Sequence, residues 1–137
     1  MDQRRKYQRL TIPLSIRMKF PGKVTYGHGI KVTSKNVSFD GFLIETEIFL
    51  ERDILLLQRG DEPVNLDPFL VAGDNELEFN IKLPPDAKII TAQGKIAWYQ
   101  LDSRGGSHYF KAGISLDKML ADDGKHWIQF IRGLAQN

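Results

Sequence analysis

Two short polar motifs in the first third of this 137-residue sequence carry the residue types that could do chemistry. The first is Arg4-Arg5-Lys6-Tyr7-Gln8-Arg9, an R-x-x-x-R spacing of Arg5 and Arg9 with a further arginine in front. The second is Asn36-Val37-Ser38-Phe39-Asp40-Gly41, an N-x-S-x-x-G spacing. Guanidinium groups bind oxyanions through a planar fork of donors. Asparagine and serine offer both donors and acceptors, and glycine lets a backbone turn or be approached closely. A basic arm and an Asn/Ser/Gly turn, brought together, would surround one anionic ligand with cations and hydrogen-bonding groups.

The segment between the motifs is what must bring them together. From Leu10 to Phe20 every even position is apolar, the period of a strand with one buried face. Pro13 has no amide hydrogen, so the strand should be an edge there or lie beside a bulge. Pro21-Gly22 and Gly27-His28-Gly29 punctuate, and Ile30 and Val32 open a second strand that runs into the Asn36 motif. Asn36 and Ser38, two residues apart on extended chain, should share a face. Phe42 and Ile44 continue beyond the turn. Nothing apolar anchors residues 1–6, which makes residues 1–9 a mobile arm.

Regularity breaks from about Ile48 to Asn75, where Ile54-Leu55-Leu56-Leu57 and Leu66-Asp67-Pro68-Phe69-Leu70-Val71 flank the turn-like Gly60-Asp61-Glu62-Pro63. The apolar clusters of this stretch must cover the rest of the domain or a partner, self-association included. Strand alternation returns at Leu77, Phe79, Ile81 and Leu83, ended by Pro84-Pro85-Asp86. Ile90, Ala92, Gly94, Ile96 and Trp98 should share one face, and Ser103 to Ser107 should be a hairpin loop. Phe110, Ala112, Ile114 and Leu116 form a last strand face. After Asp122 or Asp123 as caps, Trp127, Ile128, Ile131 and Leu134 recur at helical spacing, which predicts a helix over about 122–135. Six or so strands with short links and one terminal helix imply a mainly β fold, a small antiparallel barrel in a single domain over 1–137.

Composition bounds the possibilities. Hydrophobic and charged fractions of 42% and 26% are those of a globular chain. A formal net charge of +2 is too small for a general nucleic-acid binder, although four of the first nine residues are Lys or Arg. With no cysteine there is neither a disulfide framework nor a cysteine metal site. His28, His108 and His126 lack metal-ligand spacing. No run approaches a membrane span, and no apolar leader opens the chain, so a cytoplasmic protein is expected. There is no nucleophile-and-base pair, P-loop or metalloprotease signature, which argues against an enzyme and leaves no catalytic residue to name.

The two motifs, in this order and spacing around a strand, resemble those of the PilZ domain family of bacterial cyclic di-GMP receptors, and the resemblance spans nearly the whole chain. It implies a six-stranded PilZ-like barrel with one C-terminal helix, in which the stretch from about Ile48 to Asn75, longer than in typical members, is an insertion. It also implies cyclic di-GMP as ligand, with no other cofactor, held by Arg5, Arg9, Asn36, Ser38 and Gly41. Arg4 resembles the basic residue that, in some members, stacks on a second, intercalated nucleotide. The chemistry fits: an arginine fork suits phosphate oxygens and the O6/N7 edge of guanine, and it stacks on a purine where lysine does so poorly. Asn36 can accept from the guanine imino and amino hydrogens. The implied role is a non-catalytic receptor signalling to an unidentified downstream protein by a ligand-induced change of surface.

Each motif has a plainer reading. The arm can be a solvated basic tail, Asn36 to Gly41 a hydrogen-bonded β-turn, and Asn36-Val37-Ser38 an unused glycosylation sequon. Trp98 and Trp127 read as core, and His126 as surface. Two other functions compete: a PilZ-fold interaction adaptor that binds no nucleotide, and a barrel for single-stranded nucleic acid. The second would need aromatics along a basic groove, whereas most aromatics here fall on apolar strand faces.

Overall fold

A computed structural model describes residues 10–20, 29–59, 62–67, 70 and 76–135. The chain forms strands β1 (Leu10–Thr11), β2 (Ser15–Lys19), β3 (Ile30–Ser38), β4 (Gly41–Glu51), β5 (Ile54–Arg59), β6 (Glu62–Asn65), β7 (Leu77–Leu83), β8 (Lys88–Arg104) and β9 (Ser107–Met119). Helix α1 (Ala121–Ala135) follows. Every pairing is antiparallel. The sheet order β1-β3-β2-β7-β8-β9-β4-β5-β6, with β3 also paired to β4, closes β2, β3, β4, β7, β8 and β9 into a six-stranded barrel. The expected barrel and terminal helix are therefore present.

Pro13 splits the first apolar run. β1 and β2 both pair with β3, but Leu10 faces Val37 whereas Ser15 faces Thr33, so the register slips by one residue across Ile12–Leu14. A slip exposes backbone polar groups inside the barrel wall. Buried Ser34 satisfies them: its Oγ accepts from the Leu14 amide at 2.8 Å and donates to the Ile12 carbonyl at 2.7 Å. The irregularity expected at Pro13 is thus a strand break bridged by a serine hydroxyl.

The 48–75 stretch differs from the irregular insertion read in the sequence. β4 continues through Ile48 to Glu51, and β5 and β6 form further antiparallel pairs. The β4–β5 turn is made by Arg52 and Asp53, both at positive φ (51° and 67°) without a glycine, and so carries no usual turn signal. Leu55, Leu57, Val64 and Leu66 are buried in the common core, so these aliphatic residues cover the chain's own barrel.

The β8–β9 hairpin needs only Gly105 and Gly106 as its loop, at φ of 57° and 83°, and the strands extend to Arg104 and Ser107 on either side. α1 lies across the barrel through buried Trp127 and Ile131. Asp122 and Asp123, expected as caps, fall inside the first turn, because the helix already begins at Ala121. There they face the positive end of the helix dipole, and Asp123 Oδ2 accepts from the Thr91 amide at 3.1 Å, tying the helix to β8.

Candidate functional site

A single bulge decides where the second motif points. Along β3, Ile30, Val32 and Ser34 alternate into the core, and strict alternation would send Asn36 and Ser38 after them. Instead the pairing with β4 jumps from Ser34↔Ile44 to Asn36↔Leu43, leaving Lys35 as the extra residue. The faces exchange, as they must when register moves by one. Val37 goes into the core opposite buried Phe42, which packs edge-on against Phe79 at 5.3 Å. Asn36 and Ser38 take the opposite face together, Asn36 half-buried and Ser38 only 7% exposed.

Register carries that face across four strands in two rows and across three of them in a third. Ser38 lies opposite Gly41, Gly41 opposite Ser115, and Ser115 opposite Lys95. Asn36 lies opposite Leu43, then Gly113, then Trp98. The next row holds Glu45, Lys111 and Gln100. Three interstrand steps span about 14 Å from β3 to β8. β1 borders the same edge, with Thr11 opposite Asn36 and Leu10 opposite Val37. Leu10 is the residue to which Arg9 is peptide-bonded. Arg4, Arg5 and Arg9 themselves lie outside the described residues.

Trp98 departs from its expected place. A second bulge, between Ile96 and Trp98 on β8, flips the alternation that would have buried it. Trp98 is 39% exposed, on the face of Asn36, with its indole over Gly113, where a Cβ would collide with the ring. Sequence reasoning missed this residue because periodicity cannot see a bulge. Trp127 is in the core as expected.

Gly41 is required by packing rather than by a special φ: a Cβ there would run into the carbonyl oxygen of Ile114 on β9. The turn before it is held on both sides. The Phe39 carbonyl accepts from the Trp127 indole N–H at 3.0 Å, and the Asp40 carbonyl accepts from the Leu116 amide at 2.9 Å. The Ser38 hydroxyl donates to Asp40 Oδ1 at 2.6 Å.

Charge on this face is organised by Glu45. Its carboxylate pairs with Lys35 at 2.9 Å and Arg104 at 3.1 Å, and Arg104 also lies over the Tyr109 ring. The Lys35 hydrogen bond, more than that of Arg104, holds the Glu45 carboxyl below the ordinary carboxylate range. The bulge residue is therefore anchored to the extended β8–β9 ribbon. Among the described residues no His/Cys/Asp/Glu cluster could hold a metal, and no helix is long and apolar enough to cross a membrane.

Comparison with known proteins accords with this architecture. Solved structures with similar folds include the Bacillus subtilis inhibitor of motility MotI/DgrA, 17% identical with a TM-score of 0.59, covering 99% of this chain and 53% of that one. K. pneumonia MrkH in its apo state is 14% identical with a TM-score of 0.65, covering 99% and 52%. The PilZ domain of YcgR from Escherichia coli, solved with c-di-GMP, is 10% identical with a TM-score of 0.61, covering 98% and 93%. The chain thus spans about half the length of MotI/DgrA and MrkH. No curated protein matches it in sequence. The family model described as PilZ domain matches residues 3–133, and with the barrel and both motifs inside that span, the chain belongs to the PilZ domain family.

Proposed function

We propose that this chain is a receptor for cyclic di-GMP that binds the nucleotide on the face of β3, β4, β9 and β8 presented by the Lys35 bulge. The observation that carries the reading is that Asn36 and Ser38 share the face turned away from the core, beside the strand joined directly to Arg9. In the reading, Asn36 and Ser38 meet a guanine edge, and Arg5 and Arg9 bring guanidinium forks to phosphate oxygens and to guanine. Trp98, across the same row from Asn36, offers a stacking surface for a purine, and Lys95 a charge for a phosphate. Arg4 stacks on a second, intercalated nucleotide, which makes the stoichiometry two ligands per chain. The PilZ domain of E. coli YcgR and Borreliella burgdorferi PlzA, both similar in fold, were solved with c-di-GMP.

The output of such a receptor runs through protein contacts, not through catalysis. The half-exposed Phe49, Leu50, Tyr99 and Leu101 on the extended strands are among the apolar residues available to a downstream partner. Calorimetric titration with cyclic di-GMP, run on wild type and on Arg5→Ala and Arg9→Ala, tests the binding reading. Saturable binding that collapses in both variants supports it, and wild type blind to the ligand refutes it.

A further inference from the structure

The Ser38–Asp40 contact bears on how the proposed site tells one base from another, a role that rests on that site being a nucleotide site. Ser38 Oγ lies 2.6 Å from Asp40 Oδ1. An ionised carboxylate only accepts hydrogen bonds, so the hydrogen between the two atoms belongs to the serine. The distance is that of a charge-assisted O–H···O⁻ bond. The turn cannot easily release it. Trp127 and Leu116 hold the carbonyls of Phe39 and Asp40, and Gly41 abuts the Ile114 carbonyl. Among the described residues the ion pairs engage Glu45, Glu78 and Asp102.

We infer that Asp40 is a specificity-determining residue, which fixes Ser38 as an acceptor by engaging its only hydrogen. A free serine hydroxyl rotates to donate or accept and so tolerates either kind of partner. With its hydrogen committed, Ser38 offers lone pairs alone. Those suit the imino and amino N–H groups of guanine and meet repulsively the lone pair that adenine carries at N1. Ser38 then reads the base and does not donate to phosphate, a task left to the arginines. Asp40 acts through Ser38 and is a positioning residue.

The experiment is a calorimetric comparison of cyclic di-GMP with its adenine analogue on wild type, Asp40→Ala, Asp40→Asn, Ser38→Ala and the Ser38→Ala/Asp40→Ala pair. Asp40→Gly, which suits a turn, repeats the truncation should the alanine variant fold poorly. Truncating Asp40 is expected to reduce the guanine preference about tenfold, the worth of one such hydrogen bond. Asp40→Asn, whose amide oxygen still accepts, keeps the preference within about twofold. In the Ser38→Ala background the Asp40 truncation adds nothing, because the effect passes through the hydroxyl. Wild-type preference retained in Asp40→Ala and Asp40→Gly, or relaxed equally without Ser38, overturns the inference while leaving the site intact. Wild type that binds neither nucleotide removes the site and the inference together.

Discussion

At Lys35 one residue more than the ladder needs enters β3, and two side chains that alternation would point into the core turn to the opposite face. On the proposed reading those two contact the ligand, so Asn36→Ala and Ser38→Ala should each weaken cyclic di-GMP binding by roughly 1–3 kcal/mol. Arg5→Ala and Arg9→Ala should cost more, about 2–5 kcal/mol, since each leaves a charged partner without its fork. Arg4→Leu should move a stoichiometry of two toward one while binding persists. All can be read in one series of titrations. Ser34 offers a separate test of stability. It satisfies both Leu14 and Ile12 across the Pro13 break, so Ser34→Ala takes that partner from the buried Leu14 amide and the partly buried Ile12 carbonyl and should cost about 1–3 kcal/mol in urea unfolding. Asn36, Ser38 and Gly41 were singled out in the sequence by their spacing and by the family resemblance, and that Asn36 and Ser38 share a face was legible there. Which face they take was not, because a bulge is a property of pairing between strands. Gly41 shows the same limit: its type was legible, but the carbonyl that demands it belongs to Ile114, distant in sequence.

Among the elements, strands with strict alternation and one covered face were read without difficulty. β7 is such a strand, Leu77, Phe79, Ile81 and Leu83 all turning inward. β5 and β6 were not. Ile54-Leu55-Leu56-Leu57 has no period to read, and Arg52-Asp53 makes a tight turn without glycine or asparagine. Since the hairpin packs its aliphatic face into the core, Leu57→Ala should destabilise the fold by about 2–5 kcal/mol, as a cavity at a fully covered leucine does. The β8–β9 ribbon is joined to the Lys35 bulge through Glu45, whose carboxyl the folded state holds below its ordinary range, chiefly by the Lys35 hydrogen bond. A depressed carboxyl stabilises the fold above the unfolded pKa and loses that contribution as pH falls through the folded one. Lys35 and Arg104 are half-exposed, so screening limits the effect to less than about 1 kcal/mol. Thermal melts of wild type and Glu45→Gln should differ slightly at neutral pH and converge as pH falls through the lowered folded-state pKa of Glu45.

For the molecule as a whole, barrel closure is what sets β1, the strand that follows the basic arm, beside the second motif. β3 pairs at one end with β1, which follows the arm, and along its other edge with β4, which passes the motif face on to β9 and β8. α1 holds the motif turn from behind through Trp127. Fold class and terminal helix were legible because each strand's period and each turn's glycines and prolines agree with the global answer. Strand neighbours were not, since pairing is non-local. The central claim is that the face of Asn36 and Ser38, together with the basic arm, is a cyclic di-GMP site. Calorimetric titration of the wild-type chain with cyclic di-GMP, against GMP at the same ionic strength, tests it most directly. The account predicts saturable binding at least about a hundredfold tighter than for GMP, since both halves of the dinucleotide are engaged at once. Affinity for the dinucleotide no better than for GMP would contradict it.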